Sequence, residues 1–255
     1  MPVNRQDDWD RHWANYAAAA SINPAQRMRH RLIEGLILRS HDQVRTRICD
    51  IGSGQGDLMA RLARKLPQAE LVGLELSAAG VEIARRKVPS ARFHVADLIH
   101  DQPEDFGLRE WATHAVCSEV LEHVDDPLSF LQAAANFLAP GGLLIVTVPG
   151  GPMSAFDRHI GHRQHFDREN IRGLLERSGF AVERVCLTGF PFFNLYRLTV
   201  ILRGRKLIED VNDQAASRAS SLAAVAMRLF HALFTFNLVD SPFGWQVIAI
   251  ARKPV

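Results

Sequence analysis

The sequence predicts a doubly wound α/β fold built on a mostly parallel sheet of seven strands, and three observations carry that prediction. Apolar runs rich in Val, Ile and Leu alternate with segments of helical period along the chain. The runs are nearly continuous, as in strands covered on both faces. The first of them opens directly into "GSGQG" (52–56), three glycines in five residues. Glycine inside a strand or helix costs roughly 0.5–1 kcal/mol relative to alanine, so a tight turn or a closely approaching ligand has to require it.

"RTRICDIG" (46–52) reads as the first strand, and "GDLMARLARKL" (56–66) as a helix with Leu58, Leu62 and Leu66 on one face. "AELVGLEL" (69–76) is the second strand and "AAGVEIARRKV" (78–88) the next helix. Further strands fall at 91–98, 113–120 and 142–150, with a helix over 127–138 stopped by "APGG". "DRENIRGLLERSGF" (167–180) is a helix with Asp167 as N-cap and Gly179 as its stop. Strands 181–189 and 245–253 close the sheet. More than fifty residues separate these two, too many for a hairpin loop, so an inserted element is expected there. The division is a helical cap over 1–45, a core over 46–189, a helical insertion over 190–240 and the last strand in 241–255.

The length of 255 residues fits one large domain with an elaboration. A formal charge of +2 gives no basic footprint for a nucleic acid. Cys49, Cys117 and Cys186 lie far apart in apolar runs and read as reduced core residues, neither a disulfide framework nor a zinc site. "MPVNRQDDWDRHW" has no apolar signal segment, so a cytoplasmic setting is expected.

Gly52, Gly54 and Gly56 join the first strand to the next helix, at the sheet edge where ligands sit in doubly wound folds. They would bring backbone amides and the positive end of a helix to a polar ligand. The G-x-G-x-G spacing is not the dinucleotide fingerprint, and no Lys-Ser/Thr pair follows as in a phosphate loop. Glu75 ends the second strand and can accept hydrogen bonds from both hydroxyls of a ribose. Asp97 ends the third strand, in "VADL", where a carboxylate can hold an adenine edge. The plain alternative for each is an exposed carboxylate.

"SEVLEHV" (118–124) sets Glu119, Glu122 and His123 at i, i+3 and i+4, one face of a helical turn and a fit for a divalent cation. "DRHIGHRQHF" adds His159, His162 and His165 after the fifth strand, at the same sheet edge.

"CDIGSGQGDL", "LVGLELS", "VADL", "AVCSEVLEHVDDP" and "FLAPGGLLIVTVP", in this order, resemble the motifs of class I S-adenosylmethionine-dependent methyltransferases over residues 46–189 plus the final strand. The resemblance implies a Rossmann-like fold whose last strand is antiparallel. It implies S-adenosylmethionine (SAM) as cofactor, with Gly52, Gly54 and Gly56 against its methionine part. Asp50 would orient that loop, Glu75 bind the ribose, Asp97 the adenine amino group, and Glu119 face the cofactor. The ubiquinone-pathway O-methyltransferases carry a similar E-x-x-E-H turn that binds a divalent metal, and plant small-RNA 2′-O-methyltransferases add a downstream histidine to a similar turn. That implies a metal set of Glu119, Glu122, His123 and His165 holding Mg²⁺, Mn²⁺, Zn²⁺ or Fe²⁺. The alternative makes His123, His162 and His165 catalytic or polar substrate contacts without a metal. The expected activity is O-methylation of a small-molecule acceptor of secondary-metabolite or glycan type. The alternatives are RNA 2′-O-methylation, against which no basic stripe with interleaved aromatics appears, and a SAM-binding module without turnover.

Trp9, Trp13 and Tyr16 share a helix face that either packs on the sheet or forms a lid over the acceptor. In the insertion, Leu222, Val225, Ala226, Leu229, Leu233 and Phe236 form one helical stripe, with Phe230 and Phe234 beside it. The stripe fits a pocket wall, a homodimer contact or a membrane surface, while internal Arg228 and His231 argue against a membrane span.

Overall fold

A computed structural model describes residues 9–10, 13, 23–40, 46–212 and 221–255. The strands are β1 (Arg47–Ile51), β2 (Glu70–Glu75), β3 (Arg92–Val95), β4 (Ala112–Ser118), β5 (Leu138–Pro149), β6 (Ala181–Thr188) and β7 (Gln246–Arg252). They form one sheet in the order β3-β2-β1-β4-β5-β7-β6, with β7 antiparallel to both neighbours and the remaining pairs parallel. The strand order reverses between β1 and β4. A crevice opens there beyond the carboxyl ends of the strands, where such sheets hold ligands.

Helices α1 (Pro24–Ser40), α2 (Asp57–Lys65) and α3 (Ala78–Lys87) bury Ile33, Ile37, Leu62, Val81 and Ala84 against one face. Helices α4 (Pro127–Ala135) and α6 (Arg168–Arg177) bury Leu131, Ala134, Ile171 and Leu175 against the other. Side chains of β1 alternate between the layers, Ile48 to the first and Cys49 and Ile51 to the second. All three cysteines are buried free thiols. Asp167 caps α6 by accepting from the Asn170 N–H at 2.7 Å, and Gly179 follows with φ +90°.

The insertion holds α7 (Phe192–Asn212), kinked at Gly204, and α8 (Ser221–Leu233), which ends in a 3-10 turn over Phe234–Phe236. With α1 they form a third apolar cluster of Ala25, Met28, Phe193, Tyr196 and Phe234. The short α5 (Ala155–His159) lies against α7.

Two elements differ from expectation. The helix expected over 127–138 stops at Ala135, because Leu138 pairs with Ala112 and "APGG" belongs to the irregular start of β5. The α8 stripe does not face inward as a unit. Ala226 is exposed, and Leu229 and Phe236 are 57% and 71% exposed, while Phe230 and Phe234 on the adjacent face pack against Tyr196. The side chains of Leu222 and Val225 lie outside the described residues.

Candidate active site

The glycine loop leaves β1 with Gly52, Gly54 and Gly56 at φ +75°, +53° and +76°, the left-handed region that side chains disfavour. The N–H groups of Gly52 and Ser53 donate to the Leu74 carbonyl and fasten the loop to β2. A Cβ on Gly52 would collide with Val120, and one on Gly54 would stand 2.5 Å from the Trp13 ring. Close approach therefore adds to the φ requirement at both positions.

Glu75 is 7% exposed at the end of β2 and organises this loop. One of its oxygens accepts from the Gly54 N–H at 2.8 Å, the other from the Ser77 N–H at 3.0 Å. Burial raises the Glu75 carboxyl, opposed by these bonds and by the Trp13 indole. Asp50, 3% exposed, is pushed up to about 7 by burial and by the charge of Glu75. Asp97 sits on the rim, accepting from the Ile99 N–H at 3.0 Å and pairing with His100 at 2.8 Å.

Two compartments meet over this loop. The first, about 460 Å³, is lined by Asp50, Gly54, Glu119, Glu122, His162 and Tyr196 among others. The second, about 500 Å³, is lined by Glu75, Leu76, Asp97, Ile99 and Val120 among others. Trp9, Trp13, Gly52, Glu119 and His123 border both. The two tryptophans thus form a shared wall, or roof, of the crevice, with the Trp13 ring against Gly54 and Gly80; Tyr16 lies outside the described residues. Asp10 ties the roof down by accepting from Ser77 Oγ at 2.5 Å and from the Ala79 N–H at 3.1 Å.

The acidic turn departs from the expected helical face. Glu119 has φ +58°, rare for a residue with a side chain, and only Leu121–His123 form a 3-10 turn. The expected metal set of Glu119, Glu122, His123 and His165 is consequently not assembled. Glu119 turns toward β5 and β7, accepting from Thr147 Oγ1 at 3.1 Å and Gln246 Nε2 at 2.9 Å, with Arg29 at 3.4 Å. Instead, Glu122, His123 and His162 bring ligand atoms within 4.8 Å of one another, and Asp157, His162 and His165 do the same. Glu122 is fully buried, and neither of its oxygens has a hydrogen-bond partner. Burial, then the Glu119 charge, raise its carboxyl far above the usual range. His159 is exposed at the end of α5, outside this cluster.

His162 Nδ1 lies 3.2 Å from His165 Nε2, and His165 Nδ1 lies 3.0 Å from the Gly151 carbonyl. Burial lowers both imidazoles, His162 to about 4, so both are neutral at pH 7. A carbonyl only accepts, so His165 Nδ1 carries a hydrogen and its Nε2 a lone pair. His162 Nδ1 must then donate, which leaves His162 Nε2 as a lone pair.

Sequence reasoning missed four contributors. Arg29 on α1 and Tyr196 and Arg197 on α7 line the first compartment, and Asp157 anchors Arg197 through two bonds of 3.0 and 2.8 Å. The S-x-x-D capping box at Ser154–Asp157 was a visible signal for a fixed carboxylate. A Tyr-Arg pair inside an apolar helix was the signal for α7.

A sequence profile described as a methyltransferase domain matches residues 25–185. The trans-aconitate 2-methyltransferase of Methylobacterium radiotolerans is 35% identical over 100 residues, 39% of this chain and 36% of that protein. The ubiquinone biosynthesis O-methyltransferase of Actinobacillus pleuropneumoniae is 30% identical over 116 residues, 43% of this chain and 48% of that protein. The chain thus spans less than half the length of these curated relatives. Among solved structures, Haemonchus contortus phosphoethanolamine N-methyltransferase 2 with S-adenosyl-L-methionine superposes with a TM-score of 0.54 at 18% identity, covering 86% of this chain and 51% of that one. The [4+2]-cyclase SpnF superposes at 0.60 and 20% identity, covering 89% and 81%. These two likenesses show the fold alone. The profile covers more than half of the chain and falls on the loop and strand ends that build the crevice, so the chain belongs to the class I S-adenosylmethionine-dependent methyltransferases.

Proposed function

We propose that the chain transfers the SAM methyl group to an oxygen of a small-molecule acceptor. In this reading the nucleoside occupies the compartment of Glu75 and Asp97, and the acceptor sits among Arg29, His162, Tyr196 and Arg197. The observation that carries it is the chain of contacts from His162 through His165 to the Gly151 carbonyl at 3.2 and 3.0 Å, which with neutral imidazoles leaves His162 Nε2 as the lone pair that would take the proton of an acceptor hydroxyl. The sulfonium is already reactive, so proximity and orientation are the main further contributions. The Trp9 and Trp13 roof excludes water, and Arg29 and Tyr196 would orient the acceptor.

A second reading is favoured by the buried, unpartnered Glu122 carboxyl, which a cation would convert to its carboxylate on binding. With His123 and His162 it offers one carboxylate and two imidazoles, which fit Mn²⁺, Fe²⁺ or Zn²⁺ better than Mg²⁺. Such a cation, when bound, would lower the pKa of a coordinated hydroxyl.

The test is S-adenosylhomocysteine release against a panel of phenols, hydroxy acids and sugars, with SAM affinity measured separately. His162→Ala is expected to reduce turnover by about 10²–10⁴ while leaving SAM affinity unchanged. Full turnover by this variant would sink both readings. Exhaustive chelation separates them: turnover lost and restored by Mn²⁺ or Zn²⁺ supports the cation, and turnover unaffected leaves His162 as base.

The raised Asp50 carboxyl makes a further prediction about the cofactor. At about pH 7 it is half protonated in the ligand-free protein. The sulfonium and ammonium of SAM favour the carboxylate, so binding should expel the proton. Calorimetry in buffers of different ionisation enthalpy should find on the order of one proton released at pH 6 and almost none at pH 8.5, with affinity rising as pH passes through 7. Equal proton release at both values would place the cofactor's positive charges away from Asp50.

A further inference from the structure

The insertion leaves an apolar ridge uncovered. Leu195, Leu198 and Leu202 recur at i, i+3 and i+7 on α7 and are 49%, 40% and 77% exposed. The opposite face of the same helix is occupied, with Phe193 and Tyr196 in the third apolar cluster and Arg197 on Asp157. The segment after α8 extends the ridge with Phe236, Leu238, Val239 and Phe243, each more than half exposed. It is held against the start of α7. The Leu238 N–H donates to the Phe190 carbonyl at 2.8 Å, and Asn194 Nδ2 donates to the Phe243 carbonyl at 2.6 Å. Four apolar side chains that far into water, on a segment fastened to the start of the helix that carries three more, mark an interaction surface.

The charges beside the ridge identify the partner. Arg203 follows Leu202 and Arg228 precedes Leu229, all four exposed. The acid of the strap, Asp240, is neutralised by Arg168 at 2.8 Å and Arg184 at 3.7 Å. Leucine and phenylalanine projecting between cations match the boundary of an anionic bilayer, where rings and alkyl groups pass the headgroups and guanidiniums stay with the phosphates. A second copy on the same ridge would set like charges against each other. Among the described residues no helix is long and apolar enough to cross a membrane, so the contact is one of surface attachment.

We propose that the α7–α8 insertion docks this ridge onto an anionic lipid surface. The inner side of α7 walls the acceptor compartment, and a helix is about 10 Å thick, so docking holds that compartment next to the headgroups. The attachment does not depend on which acceptor is methylated or how.

The test is co-sedimentation of the full chain with phosphatidylglycerol–phosphatidylcholine vesicles and with phosphatidylcholine alone. Binding is expected only to the anionic vesicles and should fall at high salt. The triple variant Leu202→Ser, Phe236→Ser, Val239→Ser alters exposed side chains, so its melting temperature should be unchanged. Its vesicle binding should be at least tenfold weaker, a loss of 1.4 kcal/mol. Arg228→Glu should weaken binding to anionic vesicles and flatten the salt dependence. No binding to anionic vesicles, or full binding by the triple variant, would overturn the proposal. A concentration-dependent dimer in light scattering that the triple variant disperses would overturn it too, assigning the ridge to a second copy.

Discussion

Arg197→Ala is expected to lower the unfolding free energy by about 3–5 kcal/mol, because it strands a buried carboxylate. Asp157 is 1% exposed and receives both arms of the Arg197 guanidinium, whose own side chain is 13% exposed. Burial alone would raise the Asp157 carboxyl, but the bonds and charge of Arg197 outweigh it and hold it at about 2. The folded value lies below the ordinary 3.8, so this contribution is complete above 3.8 and fades as pH falls toward 2. Thermal unfolding at pH 7 should show a drop of roughly 8–15 °C for a chain of this length. Pairing the change with Asp157→Asn should recover part of the loss by removing the stranded charge. A single variant that melts like the parent would show that other donors or water satisfy Asp157. The pair also joins α5 to α7, so the loop carrying His162 and His165 depends on it.

Glu75→Ala should weaken SAM binding by roughly 2–4 kcal/mol, about 30- to 1,000-fold, and also lower the melting temperature of the ligand-free protein, since two buried N–H groups lose their acceptor. In the ligand-free protein this carboxylate accepts from Gly54 and Ser77, so its removal loosens the glycine loop as well as the proposed ribose contact. Glu75→Gln separates the two effects, since the amide retains one acceptor oxygen but loses the charge. Calorimetric affinity equal to the parent for Glu75→Ala would remove Glu75 from the cofactor site.

Much of the sheet was legible because its signals are local. Buried parallel strands read as apolar runs, the Gly52–Gly56 turn stands at the end of one, and Asp167 and Gly179 bracket a helix by their own backbone preferences. Glu75 was legible for the same reason, since a strand end fixes where its side chain goes. The acidic turn was not. Spacing alone places Glu119, Glu122 and His123 on one face only if the backbone is helical, and Glu119 is held in a left-handed conformation by β5 and β7 partners 28 and 127 residues away. The Arg197–Asp157 pair spans 40 residues and two helices, beyond any periodicity. The insertion misled for a different reason. An apolar stripe reports a surface that leaves water, and the face of Phe230 and Phe234 was already covered by Tyr196 while Leu229 was not.

Strain at Glu119 has a bearing on how the site ages under mutation. The left-handed backbone costs of order 1–3 kcal/mol, drawn from the surrounding sheet. Glycine at this position would relieve that cost and make the fold easier to hold, while deleting the carboxylate that Thr147, Gln246 and Arg29 converge on. Selection for robustness alone would therefore drift toward glycine here, and, under the proposed function, selection for turnover would pull back toward an acid. The residue is a point where durability and chemistry compete for one backbone angle.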